Sequence, residues 1–232
     1  MKQRKLLVTG SSRGIGHAIS SRLLEEGHRV VGISRSTPEI DSDRFTHVPL
    51  DLSDIDELPK ALSELARQHP DIDAVVLNAG IGRFGALEQF SARQIRQLVD
   101  MNLTSQVLIA RQFLPGLKKH GSADLVFIGS ESALKGGRNG AVYAATKFGL
   151  RGLVQALQEE CSTSGVRVGI INPGMVKTSF FDTLDFQPGD EADQHLVAED
   201  IVQALLLMLD ARPGAVVQEI NLQPQKRVIR FD

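Results

Sequence analysis

Short apolar, β-branched runs alternate with longer segments of helical period along the whole chain, and this rhythm constrains the fold more than any single motif. The runs are KLLVT (5–9), RVVGIS (29–34), FTHVPL (45–50), DAVVLN (73–78), ADLVFIG (123–129), RVGIIN (167–172) and VVQEIN (216–221). Between them, helical periodicity covers 14–27, a segment from the capping residue Ser53 to about Gln68, about 91–119 with breaks near Asn102 and Pro115, about 141–164, and about 197–209. Strands apolar on both faces need covering on both sides, and helical crossovers supply the cover. The pattern predicts one α/β domain over 1–232, a doubly wound three-layer sandwich with a seven-stranded, mainly parallel sheet. The stretch 179–195, SFFDTLDFQPGDEADQH, alternates aromatics with acids. It reads as a solvated loop or a mobile lid, and its place beyond a strand's carboxyl end favours a short substrate lid.

Charge excludes some functions. With 26 basic against 28 acidic residues, the net charge of −2 offers no electrostatic footprint for nucleic acid or an anionic membrane. The single cysteine, Cys161, has no partner for an intrachain disulfide, and the first apolar run is too short for a signal-peptide core or a membrane span. A cytoplasmic protein is expected. The six histidines and one cysteine show no metal-ligand spacing, and no GxSxG elbow is present, so no metal is expected.

Thr9 to Gly16 reads TGSSRGIG between the first strand and the first helix. Glycine turns there at low steric cost, and free amides at the helix's amino end would hold a pyrophosphate. Gly10, Gly14 and Gly16 give GxxxGxG, with Ser12, Arg13 and Ile15 between them. At the end of the second strand an acid would bond a ribose 2′-hydroxyl and repel a 2′-phosphate. That place holds Ser34, followed by Arg35, so Arg35 and Arg13 are candidates to converge on a 2′-phosphate. The cofactor reading is NADP(H).

Tyr143 is the only tyrosine, and Lys147 lies four residues beyond it in YAATK on a helical segment, so both project from one face. A nearby ammonium favours the phenolate, and with a cationic nicotinamide acting beside it in a site shielded from water the expectation is a tyrosine pKa depressed below its usual value of about 10.

With TGSSRGIG, LNAG, an isolated Asn, a Ser and YxxxK in order, the chain resembles the short-chain dehydrogenase/reductases over essentially its whole length. The resemblance implies a Rossmann-like fold and an oxidoreductase acting on carbonyl or alcohol groups. It makes Tyr143 the general acid or base. Lys147 would lower the tyrosine's pKa and bond the nicotinamide ribose. Ser130, thirteen positions before the tyrosine, would polarise the substrate oxygen, with Ser132 as its competitor. Gly129 stands where family members often carry another serine. Asn102 would sit at a helix break and hold a water for the lysine. Asn78, Ala79 and Gly80 would lie beneath the cofactor, and Asp51 with Leu52 would meet the adenine, although Ser53 capping the next helix is the alternative reading of Asp51's motif. Pro173 and Gly174 would shape the nicotinamide pocket, with Val176 and Thr178 bonding its carboxamide so that the pro-S hydride is transferred.

NADPH-dependent carbonyl reduction is the leading expectation. A 3-oxoacyl thioester reductase and an NADP(H)-binding regulator with little turnover are the alternatives. The substrate wall is expected from Ser132 to Leu134, from GGRNG, from Ile81 to Phe84, and from Phe180, Phe181, Leu184 and Phe186, all of which suit a mainly apolar small molecule. Apolar residues on more than one face of 91–119 and 141–164 suggest a homodimer or homotetramer.

Overall fold

The computed structural model describes residues 3–231. In chain order the elements are β1 (Lys5–Thr9), α1 (Gly14–Glu25), β2 (Arg29–Ser34), β3 (Phe45–Pro49), α2 (Leu58–Gln68), β4 (Ala74–Leu77), α3 (Ala92–Val99), α4 (Ser105–His120), β5 (Ala123–Ile128), α5 (Ala141–Cys161), β6 (Val166–Pro173), β7 (Phe186–Pro188), α6 (Ala198–Leu209), β8 (Glu219–Leu222) and β9 (Ile229–Phe231). Seven strands form one sheet in the order β3-β2-β1-β4-β5-β6-β8, and every pairing in it is parallel. The order reverses between β1 and β4, and a crevice opens there at the carboxyl ends, where doubly wound sheets take their ligands.

Alternation along each strand feeds two cores. Leu7, Val75, Leu125, Phe127 and Ile170 meet Leu58 and Leu62 of α2, Ile109 and Phe113 of α4, and Leu150 and Val154 of α5. Their neighbours Leu6, Val8, Val76, Val126 and Ile171 meet Ile19 and Leu23 of α1 and Ile201 and Leu205 of α6. The near-continuous apolar strands are thus explained by burial on both faces.

Four expectations are corrected. The helix expected from Ser53 starts at Leu58, with Pro59 in its first turn, because the Ser53 N–H and hydroxyl both bond back to Asp51 Oδ1, at 2.9 and 2.7 Å. Pro115 does not break α4, which runs on to a left-handed Gly121 (φ 67°). The other expected break is real: Asp100–Thr104 is a wide π turn around Asn102. The last sheet strand covers 219–222 and not 216–221. Finally, the 179–195 segment is no simple loop. Its β7 pairs antiparallel with β9, matching Phe186 with Phe231 and Pro188 with Ile229. Asp190 pairs with Arg230 of β9, and Asp193 with Lys226 just before it at 2.6 Å, so the segment is laced to the chain that follows the sheet.

At the amino ends of the strands lies a charge network. Asp124, 2% exposed, accepts from Arg4 at 2.7 Å and from Arg167 at 2.8 Å, while Arg4 also reaches Asp73 at 3.0 Å. Arg167 donates further to the Leu209 and Ala211 carbonyls, fastening the end of α6 to the sheet.

Candidate active site

At the opposite end of the sheet a cleft of about 250 Å³ runs from the glycine turn to Tyr143. Gly10 (φ 71°) and Gly14 (φ 57°) both take the left-handed conformation that favours glycine. Gly16 does not line the cleft; a Cβ there would stand 2.2 Å from Gly10 O, so its part is the close packing of α1 on the turn. The amino end of α1 has no capping side chain and no acid in its first turn, leaving its amides open to an anion.

Ser12, Arg13, Gly14, Ile15, Ser34 and Arg35 line this end of the cleft. Neither Arg13 nor Arg35 has an ion-pair partner among the described residues, and both are exposed. Ser34 is committed inward. Its hydroxyl donates to Ser36 O at 2.8 Å, and His47 Nε2 approaches both Ser34 Oγ at 3.0 Å and Ser34 O at 3.2 Å. The charged side chains at this end of the cleft are therefore the two guanidiniums. His47 escaped the sequence reading because it stands thirteen residues away on β3 and meets Ser34 only through strand pairing.

Leu52 lines the cleft, with Leu50 beside it, but Asp51 does not. Burial works to raise the Asp51 carboxyl, yet the two Ser53 bonds, with Arg35 nearby, hold it below the usual range. Asn78, Ala79 and Gly80 line the floor. Thr9 Oγ1 accepts from the Asn78 and Ala79 amides at 2.9 and 3.0 Å, and Asn78 Nδ2 returns a bond to Thr9 O at 3.0 Å. The LNAG turn is thereby stitched to β1.

The polar cluster lies at the far end. Ser130 lines the cleft and Ser132 does not; the Ser132 amide instead donates to Ser130 Oγ at 3.1 Å, and the Ser130 hydroxyl faces the Tyr143 phenol. Tyr143 and Lys147, 7% and 5% exposed, project together from the first turns of α5. Lys147 Nζ donates to Ile128 O at 3.3 Å and stands 5.7 Å from the Tyr143 ring centre. Burial pushes the phenol up to about 12, opposed by the Ser130 hydroxyl and reinforced by Glu131. The expected depression is absent from the protein alone, because desolvation of the phenolate outweighs the Ser130 hydrogen bond that favours it. The same burial brings Lys147 down to about 8.

Asn102 is buried behind this wall and does not face the cleft. It clasps the Ile81 backbone, accepting from its amide at 2.8 Å and donating to its carbonyl at 2.9 Å. Pro173, Gly174, Val176 and Thr178 form the opposite bank, with Thr178 3.5 Å from where a Cβ on Gly14 would be. Of the expected substrate wall only Ile81 and Phe180 line the cleft. Phe84 packs on the Tyr143 ring at 5.1 Å and on Phe186 at 5.0 Å, so these rings buttress the phenol and close its outer side. The lining residues Ile33, Met101, Ile128 and Ser179 were not singled out from sequence; three are apolar and look like core until the strand ends are placed.

A doubly wound sheet carrying this polar cluster beside a glycine-turn cleft is the framework of an oxidoreductase. The chain belongs to the short-chain dehydrogenase/reductase family: the family model described as short chain dehydrogenase matches residues 4–188. A 3-oxoacyl-[acyl-carrier-protein] reductase of Mycobacterium avium is 31% identical over 182 residues, 78% of this chain and 71% of that one. An uncharacterized oxidoreductase of Staphylococcus epidermidis is 28% identical over 234 residues, covering 97% and 98%. An alcohol dehydrogenase from the archaeon Thermococcus sibiricus, solved with 5-hydroxy-NADP, superposes with a TM-score of 0.84 at 26% identity over 98% and 99% of the two chains.

Proposed function

We propose that the protein reduces an aldehyde or ketone to an alcohol with NADPH, the observation that carries the reading being one cleft with Ser130, Tyr143 and Lys147 at one end and Arg13 and Arg35 at the other. The residues present fit the dinucleotide. Two left-handed glycines and the uncapped amino end of α1 suit a pyrophosphate, and two guanidiniums with no ion-pair partner among the described residues are available for a 2′-phosphate. The solved relative from Thermococcus sibiricus holds an NADP derivative in the same fold.

When bound, NADPH supplies the hydride. Side chains do the rest. Ser130 donates to the carbonyl oxygen and stabilises the charge that develops on it. Tyr143, still protonated with its phenol near 12, gives its proton to that oxygen as the alcohol forms. Lys147, an ammonium below about pH 8, stabilises the phenolate left behind and would hold the nicotinamide ribose. Asn102 fixes the Ile81 backbone beneath the substrate. Pro173, Gly174, Val176 and Thr178 would hold the nicotinamide on one bank of the cleft, and Asn78, Ala79 and Gly80 would support the cofactor from the floor.

The substrate is a mainly apolar small molecule, because Ile81 and Phe180 are the side chains flanking the phenol in the cleft. A 3-oxoacyl thioester is a second reading, favoured by the Mycobacterium avium relative. Cytoplasmic residence and a homodimeric or homotetrameric state belong to the same proposal. They are supported by the lone thiol of Cys161 and by exposed Val107 and Phe148 on α4 and α5. No helix among the described residues is long and apolar enough to cross a membrane.

The test follows NADPH absorbance against a panel of aldehydes, ketones, quinones and a 3-oxoacyl thioester. Turnover of at least one class is expected. Tight NADPH binding with no turnover across the panel would replace the enzyme with a regulator. Ser34→Asp combined with Arg35→Ala should move preference toward NADH by roughly 10–100-fold, the worth of one or two charge-assisted hydrogen bonds. Unchanged selectivity would remove the 2′-phosphate assignment.

A further inference from the structure

Tyr143, Lys147 and Arg151 recur at intervals of four on α5 and share one face. The first two reach the cleft; the third lies outside it. Arg151 Nε donates to both oxygens of Glu219, at 3.2 and 3.0 Å, and its Nη2 lies 3.0 Å from Oε2. Glu219 opens β8, beside β6. Its Oε1 accepts a second bond at 3.1 Å from Asn172 Nδ2, which also donates to Asn221 Oδ1 at 2.9 Å. Two acceptors on the nitrogen side fix the amide's orientation, with its oxygen turned the other way, toward β5.

That oxygen is unusual. Asn172 is fully buried, and its Oδ1 has no hydrogen-bond partner among the described residues. Leaving a buried amide oxygen unpaired is destabilising, so its retention calls for an explanation. It abuts Gly129: a Cβ built there would lie 2.1 Å from Oδ1, so the serine that family members often carry at this place has no room. The Gly129 amide donates to Ile171 O at 2.7 Å, the carbonyl before it accepts from Lys147, and the residue after it is Ser130. Contacts therefore run from α5 through Glu219 and Asn172 to the Ile128–Gly129–Ser130 corner, and return to α5 at Lys147.

We propose that Arg151, Glu219 and Asn172 are positioning residues that hold this corner, and with it Ser130 and the acceptor of Lys147, in register with Tyr143. None of the three lines the cleft, so they act only through the residues that do. The proposal rests on the roles given above to Ser130, Tyr143 and Lys147.

Its test has two readouts on the full chain. The first is hydrogen–deuterium exchange of the ligand-free protein at Gly129 and Ser132, whose amides are bonded at the corner. The second is the split between kcat and KM for NADPH. Glu219→Leu should speed exchange at both amides roughly tenfold, leave β1 unchanged, and lower kcat about tenfold with KM for NADPH within about twofold, as expected when a reacting group is misplaced and not removed. Glu219→Gln keeps an acceptor for Asn172 and should stay within about threefold on both readouts. Unchanged exchange at the corner in Glu219→Leu overturns the proposal. So does a Gln variant as impaired as the Leu variant, or a KM that rises in step with the loss of kcat. If Glu219→Leu does not accumulate, Arg151→Gln cuts the outer tie alone, and a corner no faster to exchange in that variant overturns the proposal too. Absence of NADPH turnover in the unaltered protein would remove the proposed reaction, whereas exchange would still decide whether the ring holds the corner.

Discussion

The two ends of the sheet spend their charges differently. At the amino end Arg4, Asp73, Asp124 and Arg167 satisfy one another. At the carboxyl end Arg13 and Arg35 have no ion-pair partner among the described residues, and Lys147 is buried with a single carbonyl acceptor. One end ties the layers together; the other keeps groups uncompensated, as a site awaiting an anion and a reacting oxygen must. The contrast predicts that substitutions at the two ends will separate activity from stability.

The largest effect belongs to the phenol. Tyr143→Phe removes the proposed proton donor but keeps the ring that packs on Phe84. Turnover should fall roughly 10²–10⁴-fold, the usual worth of a general acid, with the NADPH dissociation constant and melting temperature close to those of the parent. Substantial residual turnover would move the acid elsewhere.

Asp124→Ala should do the reverse. It strips a buried carboxylate from two guanidiniums, and removing one partner of such a network costs about 3–5 kcal/mol. Denaturant unfolding should show that loss, while kcat at a temperature where the variant stays folded remains near the parent value. A loss of catalysis larger than the loss of folded protein would mean that the two ends are coupled.

Lys147→Met tests the same contrast from the other side. Holding an ammonium near 8 instead of 10.5 reflects a burial cost of up to about 3 kcal/mol, so a methionine of similar length should raise stability by roughly 1–3 kcal/mol while abolishing turnover. A destabilised Met variant would make Lys147 a structural residue as well.

How much of this was legible in the sequence follows the same division. The sheet was readable because burial on both faces leaves an unbroken apolar signature, as in Leu6–Val8 or Leu125–Ile128. The polar cluster was readable because Tyr143 and Lys147 sit four apart on one helix, where local geometry alone sets their neighbourhood. Contacts made through register were not. His47 meets Ser34, Asn172 meets Gly129, and β7 meets β9 only after the chain has closed on itself. Ser53 misled as a helix cap because a Ser two residues after an Asp suits a local turn equally well, and the turn won once Pro59 set the start of α2. The raised Tyr143 pKa was missed for another reason: spacing shows the lysine, but only packing shows the loss of water.

The smallest predicted effect is one of pH, and it belongs to the amino end. His28, 3% exposed, accepts the Arg4 amide on Nδ1 at 3.2 Å, so it is held neutral there. Burial, with Arg4 beside it, lowers its pKa, against Asp73, Glu26 and Asp210, which favour the charged form. The unfolded chain, with an ordinary imidazole near 6.5, then binds more protons than the folded one at mildly acid pH. The contribution of His28 to stability is therefore complete above about pH 6.5 and declines as pH falls below it, by at most about 1.4 kcal/mol per pH unit. His28→Gln should flatten the slope of unfolding free energy between about pH 6.5 and 5 relative to the parent, leaving the pH profile of kcat unchanged. An equal slope in both proteins would assign the acid sensitivity to the carboxylates. A change in the kcat profile would show that protonation at the amino end reaches Tyr143 and Lys147 across the whole length of the sheet.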